Sequence, residues 1–179
     1  MAWVAGWNYV ACAIFITGDI LGRNLFGVSS AATVEITGYM LACGIAWGLA
    51  HTLAVRAHIR VDVLVTRMPV KWRAPLHLFS LLLLTGFAAF TAWAAWELVN
   101  ESALFDAHDN SALRVPLIIP QGIWATGITA FVVMCGVLLL ESLLALLAGR
   151  PEQLDVLLGS RTVTDETEEA LQAVAMARK

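Results

Sequence analysis

The chain has 179 residues, 59% of them hydrophobic and 14% charged, with a formal net charge of -3 at pH 7. Together with a mean hydropathy of +0.76, this composition excludes an ordinary soluble domain and marks an integral membrane protein. A pI near 5.7 leaves no broad basic face to neutralise phosphates, so a nucleic-acid partner is excluded as well.

A hydrocarbon core about 30 Å thick takes roughly 20 apolar helical residues to cross. Four segments qualify: Trp3 to Leu21, Val34 to Val55, Leu76 to Val99 and Leu117 to Ala148. Their apolar runs are continuous, without the short alternating segments of a β-barrel. The expected fold is an all-α membrane protein with four transmembrane helices, a membrane domain over residues 1–149 and a cytoplasmic tail over 150–179. No internal repeat supports an inverted-repeat transporter core.

The first span lacks the basic n-region and cleavage site of a signal peptide, so it is read as a span. Asn8, Cys12, Phe15, Asp19 and Arg23 recur at helical spacing and form one polar-tinged stripe that another element has to cover. Asp19 and Arg23 sit one turn apart and can pair. Glu35, opening the second span where the helix dipole favours a carboxylate, is placed to share the arginine. The cluster is expected to lock the first hairpin; an ion or proton relay is the competing role, but no further titratable group continues a path across the bilayer.

The second span carries Gly38, Ala42, Gly44 and Gly48, and the GxxxG at Gly44 and Gly48 invites a close helix neighbour. After it comes "RAHIRVDVLVTRMP", Arg56 to Pro69. Arg56, Arg60, Arg67, Lys71 and Arg73 fall in this second loop, Arg150, Arg161, Arg178 and Lys179 in the tail, and only Arg23 and Arg114 elsewhere. Positive charge stays in the cytoplasm, so both termini and the second loop are expected inside, with loops one and three outside. Val61, Leu64, Val65, Met68 and Trp72 fall on one helical stripe and Arg60, Arg67 and Lys71 on another. That pattern predicts an amphipathic interfacial segment, broken near Pro69.

The third loop, "NESALFDAHDNSALRVP", is acidic and short. Asp106, His108, Asp109 and Asn110 lack calcium-loop spacing, so a solvated loop is expected, with Asp109 or Ser111 capping a turn. In the fourth span Pro120 falls in the first turn, where its missing donor costs little, and Gly122, Thr126, Ala130 and Gly136 supply a small-residue face. The span is longer than the bilayer and must tilt or project, with Glu141 near its exit from hydrocarbon. Trp3, Trp7, Trp72 and Trp96 fit an interfacial belt. Cys12, Cys43 and Cys135 have no zinc or disulfide spacing and read as buried thiols. In the tail, Asp165 with Glu168 and Arg178 with Lys179 suit the two ends of a short helix; disorder is the alternative.

Arg23-Asn24-Leu25-Phe26-Gly27, Glu35, "AHIRVDVLVTRMP" and "VPLIIP" together resemble the small membrane subunit, DctQ type, of tripartite ATP-independent periplasmic (TRAP) transporters. The resemblance runs from Asp19 to Ala148, and His58-Ile59-Arg60-Val61-Asp62 is its most specific element; the tail carries no family signature. It implies a non-enzymatic, cofactor-free accessory subunit in the bacterial inner membrane. Its partners would be the bilayer, a large transport subunit of the DctM type holding the substrate and sodium sites, and a periplasmic binding protein that delivers an organic acid. Asp19, Arg23, Gly27 and Glu35 would form an external hairpin lock, His58, Arg60 and Asp62 would fix the turn into the interfacial segment, and Pro120 would set the start of span four. Two rivals stand beside it: a self-sufficient homodimeric four-helix transporter, and a haem-bearing anchor using His51 and His77 as axial ligands.

Overall fold

A computed structural model describes residues 1–27, 30, 32–56, 70–110 and 113–149, with 158, 167, 171, 174 and 176. Four helices carry the chain: α1 (Ala2–Phe26), α2 (Thr33–Ala54), α3 (Val70–Leu104) and α4 (Ile118–Leu147). Each is long and apolar enough to cross a membrane, as the expected all-α, four-span architecture requires.

α1 and α3 outrun their apolar runs. α1 continues through Asp19 and Arg23 to Phe26, where Gly27 ends it in the left-handed conformation (φ 67°) and donates its N–H to the Arg23 carbonyl at 3.2 Å. α3 begins at Val70 rather than Leu76, so Lys71 and Arg73 belong to its first turn, and Pro75 lies inside the helix. Its ring leaves the Lys71 carbonyl without the usual helical donor. The expected interfacial segment, with His58, Arg60 and Asp62, lies outside the described residues.

α1 packs on α2, α2 on α4, and α4 on α3. The spatial order α1–α2–α4–α3 makes an open layer rather than a closed bundle: no more than 22% of any spanning window is buried. α4 is the central helix. Its buried Phe131, Cys135, Leu138 and Ala145 meet Ala50 and Leu53 of α2 and Leu81 and Ala88 of α3 in one core. Leu158, beyond α4, is 2% exposed and belongs to that core.

Lipid is as apolar as leucine, so the seams are held by close approach and interhelical hydrogen bonds. The α1 stripe is covered along its first part, where Cys12 is buried and Asn8 Nδ2 donates to the Met40 carbonyl of α2 at 2.6 Å, whereas Arg23 at its end is exposed. Between α2 and α4, Trp47 Nε1 donates to the Ile123 carbonyl at 3.0 Å. Between α3 and α4, Trp96 Nε1 donates to Thr129 Oγ1 at 3.0 Å, so Trp96 pins two helices instead of serving only as a belt residue.

The small-residue faces differ from expectation. Of the GxxxG pair, Gly44 touches α1 whereas Gly48 faces open space. In α4, Gly122 and Gly136 have nothing near them, and Gly127 is the contact: a Cβ there would lie 2.9 Å from Ala46 Cβ and 2.7 Å from Trp47 Cδ1. Cys12 and Cys135 are buried free thiols; Cys43 is only half-buried, with its thiol 3.8 Å from the Pro120 carbonyl.

Candidate functional site

Loops one and three leave the helix ends on one rim of the layer, and most of the candidate residues of the membrane domain converge there. Asp19 stands at the end of the α1 stripe that faces α2. Its Oδ1 accepts the backbone N–H of Ser30 at 2.8 Å, and its Oδ2 lies 3.4 Å from Arg23 Nη2. The Asp19 side chain is 7% exposed and that of Arg23 65%. With the arginine largely solvated and 3.4 Å away, the pair adds little energy, so the carboxylate's main structural work is to hold the turn between α1 and α2. Ser30 continues the clasp: its carbonyl accepts from Thr33 Oγ1 at 3.2 Å and its Oγ from the Ala32 N–H at 3.3 Å.

Glu35 occupies the first turn of α2, the end where the macrodipole favours an acid. Its Oε2 is buried without a hydrogen-bond partner, so the expected sharing of Arg23 is not made through that oxygen. The guanidinium instead points outward beside Asp19. Gln121 Oε1, in the first turns of α4, is a second buried acceptor without a donor.

One turn beyond Glu35, the Tyr39 hydroxyl donates to the Asp109 carboxylate of the third loop. Asp109 therefore ties the loop to α2 and does not simply cap a turn. The loop is closed on itself as well. His108 and Pro116 form an antiparallel bridge, the Asp109 N–H meets the Val115 carbonyl at 3.0 Å, and the Leu117 N–H meets the Ala107 carbonyl at 3.0 Å. Asp106 and Arg114 flank this neck with φ of 46° and 45°. Left-handed backbone is uncommon outside glycine and costs of order 1–3 kcal/mol where the surroundings impose it.

Pro120 is the third residue of α4, and its carbonyl receives the Cys43 thiol. Beside it a cleft of about 180 Å³ opens between α2 and α4, walled by Tyr39, Cys43, Gln121 and Trp124. Small-molecule pockets enclose roughly 300–1,000 Å³, so this cleft is smaller than such pockets and is a seam between helices.

Tyr39 and Gln121 were not singled out by sequence reasoning. A hydroxyl in an apolar run, four residues after Glu35, is a weak signal, because its partner lies seventy positions away in sequence. The two histidines of the haem alternative are not brought to facing positions: His51 is exposed, His77 is buried, and α4 lies between their helices. Among the described residues no ion pair sits at the middle of the layer.

A family model described as "Tripartite ATP-independent periplasmic transporters, DctQ component" matches residues 12–147 of the chain. No curated protein matches it.

Proposed function

The chain belongs to the family of the DctQ component of TRAP transporters, and from that premise we propose that it works as an accessory scaffold and does not itself carry solute. In this reading it lies in the bacterial inner membrane with both termini and its second loop in the cytoplasm. It supports a large transport subunit of the DctM type that takes up an organic acid on a sodium gradient, and it helps a periplasmic binding protein to dock.

The open layer is the observation that carries the reading. Four helices arranged α1–α2–α4–α3 leave broad apolar faces uncovered among the described residues. The cleft between α2 and α4 is smaller than small-molecule pockets. Transporter sites are built instead at bilayer depth from broken helices and polar groups, which the described spans do not offer.

Asp19, Arg23 and Gly27 are proposed as the lock of the first hairpin, with Glu35 beside it at the start of α2. Pro120 sets the start of α4, and His58, Arg60 and Asp62 fix the turn after α2. The test is to tag the chain, extract it gently from its native membrane and identify what co-purifies. The expected result is a stoichiometric, many-span partner. Recovery only as a homo-oligomer, with solute flux retained in liposomes, would sink the proposal and favour the homodimeric transporter. Arg23→Ala is expected to lower the yield of the complex while leaving substrate preference unchanged; normal yield with altered preference would contradict the lock.

A further inference from the structure

We propose that Leu158 is a clasp: carried back from beyond α4, it takes over where α2 stops and holds α3 and α4 together at the rim opposite loops one and three. The proposal concerns the packing of this chain alone and stands or falls separately from the accessory reading.

α2 and α4 run side by side in the same direction, with Ala46 against Gly127 and the Cys43 thiol at the Pro120 carbonyl. From the level of Ala46 and Gly127, α2 continues only to Ala54, whereas α4 continues to Leu147. At 1.5 Å per residue, α4 runs about 18 Å past the end of its neighbour. A helix that loses one of two neighbours exposes the side it faced. Here the stripe stays covered: Leu138, Ser142 and Ala145 are all buried, and Leu53, in the last turn of α2, is 1% exposed.

α3 covers this stripe from one side with Leu78 and Leu81, and among the described residues it makes no contact with α2. Leu158 is the described residue that joins the same core from outside the four helices. The largest fully buried side chains are Leu53, Cys135, Ser142 and Leu158, so the tightest packing gathers where α2 ends and Leu158 arrives.

The end of α4 is shaped for the return. Gly149 adopts the left-handed conformation (φ 70°) and gives its N–H to the Leu146 carbonyl at 3.0 Å, which turns the chain off the helix axis. From Gly149 to Leu158 an extended chain covers up to roughly 30 Å, ample to come back to Ala145, one turn before the glycine. The seat suits an apolar side chain, because Ser142 Oγ already donates to the Leu138 carbonyl at 2.6 Å and a leucine over it leaves no hydroxyl unsatisfied. Leu158 lies outside residues 12–147, which match the family.

The chain carries its own reporters. Cys135 is buried in the core that Leu158 joins, and Cys12 is buried on α1, away from it. The test places the full chain in lipid nanodiscs, adds N-ethylmaleimide and follows alkylation of each cysteine by peptide mass spectrometry. Leu158→Ala is expected to speed alkylation of Cys135 at least about fivefold, since truncating a buried leucine leaves a cavity and eases local opening, with Cys12 unchanged. Leu158→Val should give a smaller rise in the same direction. Leu158→Met keeps the volume and should react like the parent. So should Leu171→Ala, because Leu171 is exposed.

A Cys135 rate unchanged in both Leu158→Ala and Leu158→Val overturns the clasp. An equal rise at Cys12 overturns it too, because the whole layer would then have loosened. So does Leu171→Ala raising the Cys135 rate as much as Leu158→Ala, which would show that position 158 is not the point of attachment.

Discussion

The seam between α2 and α4 and the seam between α1 and α2 use the same device, one glycine under a neighbouring helix, but they differ in hardness. At Gly127 an added Cβ would meet the Ala46 carbonyl carbon at 3.0 Å and the Ala46 Cβ at 2.9 Å, atoms that move only if a helix moves. At Gly44 it would meet Asn8 Nδ2 and Tyr9 Cζ at 2.8 Å, the far ends of flexible side chains. Close packing of backbone against backbone makes α4 the fixed centre of the layer. Packing of side-chain tips against backbone leaves α1 an adjustable edge.

Substitutions can break or sharpen this contrast. The largest effect is expected from Gly127→Ala, because overpacking a rigid contact costs about 1–3 kcal/mol; unfolding in mixed micelles measures it, and a cost no greater than that of Gly44→Ala would erase the distinction. Gly44→Ala should cost about 1 kcal/mol or less. Adding Asn8→Ala to it should recover part of that loss, since contacting residues couple by roughly 0.5–3 kcal/mol in a double-mutant cycle; strict additivity would show that the tip of Asn8 is not what yields.

Trp47→Phe removes the N–H given to the Ile123 carbonyl. Hydrogen bonds between membrane helices average about 0.6 kcal/mol, so a loss near that value is expected in the same unfolding measurement. Smallest is Gly48→Ala, which meets open space and should change the stability of the chain by no more than about 0.5 kcal/mol. If it nevertheless lowers recovery of the large subunit, the open face at Gly48 is a contact between chains, and a second hard seam exists outside this chain.

The four spans, the covered stripe of α1 and the family were all legible before any coordinates. Span length and apolarity are local properties, and the α1 stripe shows because Asn8 and Asp19 stand out against a greasy helix. Among the four helices only α1 has a marked amphipathic bias. α2, α3 and α4 are apolar almost all round, since a face against lipid and a face against protein take the same residues. Reading their small residues as packing faces therefore chose Gly48, Gly122 and Gly136 along with Gly44, whereas the contacts belong to Gly44 and Gly127.

The rim divides in the same way. The Asp19 and Arg23 pair was readable because one helical turn separates the two residues, and Gly27 because a chain leaving a helix needs a residue that tolerates positive φ. Tyr39 with Asp109, Gln121 beside Pro120 and the central place of α4 were decided only by the tertiary structure. Each depends on which helix stands next to which, and in a bilayer that choice is made by shape and by hydrogen bonds between distant residues, because the hydrophobic pattern that reveals neighbours in water is uniform there.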